Sequence, residues 1–417
     1  MSFKRRSNRA RRIAGGVWAL ATRPRSRAEG GHDAYFASLQ AALAQAGVAE
    51  PALVIDRARL RENVAAVRKA LSPSGLALRV VSKSLQSPAL LDAVLAGTGA
   101  ERLMTFNGVM LDEIVRVHPE LDVLLGRPLP AGQVGAFVQR QGNNSARAAR
   151  PQWLVDSPAR LAQYAEIARD RAQAMRVNLE IDVGLHRGGL PDLQALAETL
   201  DLAAANPLIE VTGLMGYDAH VPGFAEPKAE MARVQARYRA AKAVLTARLG
   251  GDPSRFTLNA AGSPTFMAHV KGSEANEVSI GSAFVKPANY DYGALHALKP
   301  AAFIAQPVLK VMDPPTIPGL ERYASTFGRL NPDAQRGYFV YGGYGDAEPV
   351  SPPGLSWHPL FGSRSMLMAS RKVALEKDDT VFFRPRESEG VFLQYGDLLV
   401  FDNGAIVDRW PTFAVAA

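Results

Sequence analysis

Several reactive side chains in this sequence stand where buried strands should end. Lys83 follows the apolar run LRVV and precedes SPALLDAVL, which has the texture of an amphipathic helix. Most lysines sit in solvated loops, but these flanks are core-like, with Ser87 placed as an N-cap and Pro88 in the first turn. A lysine desolvated at such an edge can serve as a Schiff-base nucleophile. In EIDVGLHRGGL, Asp182, His186 and Arg187 crowd one strand end. A salt-bridged loop is the plain alternative to an Arg187 held toward a ligand by Asp182 or Glu180. Gly188 and Gly189 would let the backbone approach a bound group. GLMGYDAHVPG offers the flat face of Tyr217 with Asp218 and His220 beside it, although an aromatic at a strand end more often packs. LNAAGSPTF and SIGSAFV are small, glycine-containing turns. In them Ala261, Gly262, Ser263, Thr265, Gly281 and Ser282 suit a phosphate cup made of backbone N–H groups.

An amine nucleophile, an arginine, an aromatic face and a phosphate cup together suit pyridoxal 5'-phosphate (PLP), an aldehyde with a phosphate handle and an electron-storing ring. Such a set must be positioned by a regular scaffold. From residue 77 to 282, short apolar runs alternate with longer stretches of helical period. The strand candidates are LALRVVSK, ERLMTF, DVLLG, QWLVD, RVNLEIDV, IEVTGLMGY, FTLNA and NEVSIGS. Helix candidates between them include PALLDAVLAG, PARLAQYAEIARDRAQAM, DLQALAETLDLAAAN and EMARVQARYRAAKAVLTARLG. Eight such units predict an α/β fold, a (β/α)8 TIM-like barrel in preference to an open doubly wound sheet. Its working face would be the C-terminal ends of the strands. After residue 300, strand-like stretches separated by Pro/Gly turns predict a C-terminal mostly-β domain. The predicted organisation is a basic N-terminal extension at 1–48, a PLP-binding barrel at 49–295 and the β domain at 296–417. The leading strand 51–56 is a candidate to join the β domain.

Composition narrows the function classes. The chain of 417 residues has no cysteine, which excludes disulfides and thiolate chemistry and fits a cytoplasmic setting. The formal charge of +8 is concentrated: residues 1–28 carry nine Lys or Arg and no acid, leaving 39 basic against 40 acidic residues elsewhere. The basic segment reads as a solvated extension, with a nucleic-acid or membrane arm as the alternative. The body shows no apolar run of membrane-spanning length and no nucleic-acid groove.

In order and spacing, these stretches resemble the alanine racemase-like PLP enzymes of fold type III, and within them the D-threonine aldolase and D-serine dehydratase branch. PALVIDRARLRENV is similar to their opening strand and helix, and VSKSLQSP to the segment around their PLP lysine. EIDVGLHRGG, GLMGYDAH, NAAGSPTF and EVSIGSAFV resemble successive barrel motifs, and FFRPRESEGVFLQYGDLLVFDNGAIVDRWPTF resembles the branch's C-terminal segment. The resemblance implies that Lys83 forms a Schiff base with PLP. It implies that Arg187 faces the pyridine nitrogen and that Tyr217 lines the ring. Gly262, Ser263 and Gly281 would hold the phosphate, with Asn259 and Ser282 as further cofactor-binding candidates. It also implies a homodimer, in which the β domain of one subunit caps the barrel mouth of the other.

Two departures stand out. The family often has KTHK after its lysine, whereas KSLQ here puts Leu85 in place of the histidine. The family's metal pair is a His with a nearby Cys or Asp in the C-terminal domain. Here that region reads RPRESEGVF, with Arg386 in the histidine's place and Glu387 and Glu389 as its acids. A histidine-containing metal site is therefore not expected, a carboxylate site for Mg²⁺ or Mn²⁺ stays open, and the metal ligands are unassigned. The expected activity is a PLP-dependent lyase acting on small D-β-hydroxy amino acids, by retro-aldol cleavage or by dehydration and deamination. His220, His358 or a C-terminal glutamate would act as the acid or base. One alternative is an amino-acid racemase, with Tyr338, Tyr341 or Tyr344 as its second base. The other is a non-catalytic PLP-binding protein.

Overall fold

A computed structural model describes residues 30–141, 150–316, 321–342, 346–358 and 365–414. Tyr344 and the basic segment 1–28 lie outside the described residues. The described chain begins with helix α1 (Ala34–Gln45), strand β1 (Ala52–Asp56) and helix α2 (Arg57–Leu71). It divides into two compact units, one formed by the chain up to Arg59 with Pro300–Pro411, the other mainly by Leu60–Lys299.

The second unit is the barrel that the sequence predicts. Strands β2 (Ala77–Val81), β3 (Arg102–Thr105), β4 (Asp122–Leu125), β5 (Gln152–Val155), β6 (Met175–Glu180), β7 (Ile209–Gly216), β8 (Thr257–Ala260) and β9 (Glu277–Ile280) pair in parallel and close, β9 returning to β2. Helices α3 (Pro88–Thr98), α4 (Gly108–Val117), α5 (Ala131–Gln141), α6 (Pro158–Asp170), α7 (Leu193–Ala204), α8 (Pro227–Leu249) and α9 (Phe266–His269) follow the strands in turn. The strands are near-continuous apolar runs because helices cover one face and the barrel interior the other. The starts are set by caps: Ser87 accepts from the Leu90 N–H, Asn107 from Met110, Ser157 from Arg160 and Asp192 from Ala195. After β9 only short 3₁₀ turns follow, and α2 fills the remaining side. A Cβ at Gly97 in α3 would meet Val64 of α2 at 2.8 Å, and the Asn63 amide of α2 donates to the carbonyls of Phe284 and Lys299.

The barrel floor is ionic. Arg79, fully buried in LRVV, donates to Glu277 at 2.5 Å and Asp122 at 2.7 Å, and Arg102 reaches Glu277 at 2.7 Å. Gln152 donates to Asp122, and Asn178 donates to Gln152. Several bonds cross between non-adjacent strands, Arg79 to Asp122, Arg102 to Glu277, Gln152 to the Thr257 hydroxyl and Asn178 to the Thr257 carbonyl, so Arg79, Arg102, Asp122, Gln152, Asn178 and Glu277 face inward.

In the first unit, β10 (Ala302–Met312), β11 (Arg336–Val340), β12 (Ala347–Ser351), β13 (Ser356–Trp357), β14 (Met366–Ala369), β15 (Thr380–Pro385), β16 (Leu398–Asp402) and β17 (Ala405–Trp410) join β1 in a sheet. β1 pairs antiparallel with β10 and parallel with β16. β16 and β17 form a hairpin closed by Asn403 and Gly404, both at positive φ as a two-residue turn requires. Residues 34–45, counted in the basic extension from sequence, instead form α1. Its Leu39, Ala42 and Leu43 pack on Val54, Phe382, Leu399 and Phe401. Each fully buried leucine there contributes about 1.5–3 kcal/mol.

Candidate active site

The strand ends of the barrel bring most of the sequence-predicted residues into one connected arc. A 3₁₀ turn, Ser82–Ser84, extends β2 and carries Lys83, whose Nζ lies 4.6 Å from the Phe106 ring centroid just beyond β3. The Phe106 ring lies over Gly126 at the end of β4, where a Cβ would come within 2.2 Å of it. The Lys83 turn is tied to the next turn by a hydrogen bond between the hydroxyls of Ser84 and Ser282, 2.9 Å apart. That turn is tied in its turn to the loop after β8, because Ser263 Oγ accepts from the N–H groups of Gly281 at 3.3 Å and Ala283 at 3.0 Å.

Two glycines make these approaches feasible. A Cβ at Gly281 would stand 2.9 Å from the Ser84 Cβ, and a Cβ at Gly262 would stand 2.6 Å from Tyr217 Cε2. Tyr217, at the end of β7, thus lies flat against the Gly262 turn. Arg187 places its guanidinium 4.9 Å from the centroid of the same ring. Lys83, Ser282, Gly281, Ser263, Gly262, Tyr217 and Arg187 therefore form one chain of contacts.

Asp218 supports this arc from behind. Fully buried, it accepts from Thr265 Oγ1 at 2.5 Å and pairs with His269 Nε2 at 2.7 Å. Thr265 Oγ1 also accepts from the Gly262 N–H at 3.2 Å. The β7 end and the Gly262 turn are locked together by a carboxylate that does not face the mouth.

Other candidates are placed elsewhere. The Asn259 amide is inside the barrel, donating to Glu277 and Ser279 at 2.8 Å each. His220 Nε2 lies 3.3 Å from Glu230 in the first turn of α8, and a Cβ at Gly184 would come within 2.9 Å of that nitrogen. Its contacts are with the walls of the β6 and β7 loops rather than with the arc. In the first unit, His358 follows β13 and is buried, which pushes its imidazole down to about 4 and keeps it neutral at pH 7. Tyr338 is fully buried with its hydroxyl donating to the Val373 carbonyl. That bond removes it as a second base for racemisation. Arg386 pairs with Glu348 at 2.9 Å and with Asp346 at 3.3 Å. Among the described residues, no three His, Asp or Glu side chains gather as a metal site would need.

Of the two carboxylates expected to hold Arg187, Asp182 or Glu180, Asp182 is spent on its own loop. Asp182 accepts from the N–H groups of Gly184 and His186 and from the His186 ring at 2.6 Å. It shapes the loop that carries Arg187. Glu180 is the carboxylate that feels the Arg187 charge. Strand ends that the sequence reading passed over also reach the mouth: Phe106 after β3 and Asp156 after β5. Their signal was position alone, a non-aliphatic residue closing an apolar run, as in ERLMTF and QWLVD.

The family model described as alanine racemase, N-terminal domain, matches residues 55–288. The chain belongs to that family. Among solved structures, D-threonine aldolase from Filomicrobium marinum superposes with a TM-score of 0.70 at 18% identity, over 86% of this chain and 94% of that one. D-threo-3-hydroxyaspartate dehydratase from Delftia sp. HT23 gives 0.65 at 18% identity, over 87% and 97%. Alanine racemase from Bacillus anthracis, with bound L-Ala-P, gives 0.63 at 14% identity, over 87% and 97%. At these identities the likeness establishes a shared fold, the fold type III architecture of barrel and β domain. No curated protein sequence matches the chain significantly.

The family implies PLP, and the arc fits it. The Gly262 turn packs so closely against the Tyr217 ring, and the Gly281 turn against Ser84 of the Lys83 turn, that each approach requires glycine, which brings the small-residue turns, the aromatic face and the amine together.

Proposed function

We propose that this protein is a PLP-dependent lyase acting on small D-β-hydroxy amino acids, by retro-aldol cleavage or by dehydration and deamination. The observation that carries the reading is the connected arc from Lys83 to Arg187 on adjoining strand ends. When bound, PLP supplies an aldehyde for the substrate amine and a ring that stores electrons released at Cα. Lys83 Nζ would be the amine that holds the cofactor and, when free of it, would be placed to move a proton at Cα. The Gly262–Ser263 and Gly281–Ser282 turns would hold the phosphate, by turning to it the N–H groups that otherwise bond to the Thr265 and Ser263 hydroxyls. Tyr217 would offer its face to the ring, and Arg187, its guanidinium 4.9 Å from the Tyr217 centroid, would supply a cation for the pyridine nitrogen.

The lyase reading is preferred to racemisation because the C-terminal segment FFRPRESEGVFLQYGDLLVFDNGAIVDRWPTF resembles the aldolase and dehydratase branch; of the described tyrosine candidates for a second base, Tyr338 is engaged with the Val373 carbonyl whereas Tyr341 is exposed. The aldolase and the dehydratase share this fold, as the alanine racemase does. The protein is proposed to work as a homodimer. Leu309, Phe339 and Tyr341, exposed on or just beyond the adjacent strands β10 and β11, offer an apolar surface for a second copy.

Product analysis tests the reading. PLP-loaded protein mixed with D-threonine, with and without Mn²⁺, is expected to yield glycine and acetaldehyde, or 2-oxobutyrate if dehydration prevails. Appearance of L-threonine or L-allothreonine instead would replace the lyase with a racemase or epimerase.

A further inference from the structure

One carboxyl at the barrel mouth has no role in the arc. Glu180 closes β6 and is 7% exposed. Asn178, two residues earlier, faces the interior through its bonds to Gln152 and the Thr257 carbonyl. Strand periodicity puts Glu180 on the same inward face, one layer nearer the mouth. By the same alternation Asp156 follows the inward Gln152 on β5, and Phe106 follows the inward Arg102 on β3. Gly188 of the Arg187 loop lies over Glu180: a Cβ there would stand 3.3 Å from its Oε2. Among the described residues, nothing donates a hydrogen bond to this carboxylate. Most buried carboxylates are held by such donors, so an undonated one at a strand end is set up to exchange a proton.

We propose that Glu180 is the general base for the substrate's β-hydroxyl. This rests on the PLP reading above and adds the residue that a metal would otherwise assist. The proton passes from the β-hydroxyl oxygen to a Glu180 Oε. The O–H electron pair becomes the second carbon–oxygen bond of the released aldehyde. The Cα–Cβ pair stays with Cα, which takes a proton from Lys83 Nζ and leaves as the glycine carbon.

The surrounding charges make Glu180 suited to this task at neutral pH. Burial drives its carboxyl up, the Arg187 cation draws it back, and the Asp156 and Asp182 carboxylates push it up again, to about 7. A base poised near the working pH is the effective kind. The groups that face it are Asp156 from β5 and Asp182 and Arg187 from its own loop; Tyr217 stands at the end of the neighbouring β7. His220 is engaged with Glu230, and Asp218 with Thr265 and His269, so neither competes for the role.

Two measurements on full-length protein test this. First, difference infrared spectroscopy of cofactor-free protein across neutral pH should show a protonated-carboxyl stretch that titrates near pH 7 and is absent in Glu180→Gln. A band that persists in Glu180→Gln overturns the assignment. Second, Glu180→Gln loaded with PLP should keep borohydride-trappable cofactor while D-threonine turnover falls by about 10²–10⁴-fold. The rising limb of kcat/KM near pH 7 should vanish in Glu180→Gln, and Glu180→Asp should restore part of the rate. Undiminished turnover with an unchanged pH profile overturns the proposal and leaves the PLP reading intact. Failure of the native protein to trap PLP would fail that reading itself, and the catalytic role with it.

Discussion

The residue that most departs from the look of its surroundings is Arg79. In LRVV it reads as a polar interruption of an apolar strand, yet it is fully buried and forms the centre of the barrel floor. Burial alone would raise both carboxyls beside it. For Glu277 the Arg79 and Arg102 guanidinium groups outweigh burial and hold it below the usual carboxylate range. For Asp122, Arg79, the Gln152 amide and Arg176 outweigh burial and hold it down at about 2. Such a network stabilises only while complete, since a buried charge left without its partner is costly. Glu277→Gln is therefore expected to lower stability by about 3–5 kcal/mol, read as a fall in denaturation midpoint. The pH sign follows from the depressed pKa values. Stability contributed by Asp122 and Glu277 is present above their unfolded values near pH 4 and is lost as pH falls toward 2. The sequence shows both residue types, but not that β2 and β9 adjoin when the barrel closes. Arg79 is partnered by a residue 198 positions away.

At the scale of elements, the barrel was legible because each strand is a short apolar run and each helix carries its own start signal. All eight strand candidates are strands, and Ser87 caps α3 as its position before Pro88 predicts. Strand-end reading found Lys83, Arg187, Tyr217 and the two glycine turns, whose residues adjoin. It also named His220 and Asn259, which bond to Glu230 and Glu277, contacts between segments that spacing does not show. Helix α1 and strands β12 and β13 were not anticipated. α1 has a short apolar face that is meaningful only against the sheet it covers, and the two strands are held by pairing rather than by strong local pattern. The turns give a direct test at this scale. Gly262→Ala must push its new methyl against the Tyr217 ring, which is 2.6 Å away, so the turn must open. An overpacking cost of about 1–3 kcal/mol is expected to appear as roughly 5- to 150-fold weaker PLP binding by equilibrium dialysis, with the fold retained by circular dichroism.

At the scale of the whole molecule, one chain builds two units with different logic. The barrel is assembled from local βα repeats and supplies the arc of contacts. The sheet unit is assembled from distant segments, β1 beside β10 and β16, so its composition from sequence is the harder inference. Among the described residues, no helix is long and apolar enough to cross a membrane. Arg386, which stands where the resemblance implies a metal-binding histidine, is paired with Glu348 and Asp346. Everything proposed for the reaction depends on where the cofactor is attached. The most direct measurement is borohydride reduction of the PLP-loaded protein followed by mass spectrometry of its peptides. The account predicts a single phosphopyridoxyl adduct on Lys83, absent from Lys83→Ala. An adduct on another lysine, or an undiminished yield in Lys83→Ala, would contradict it.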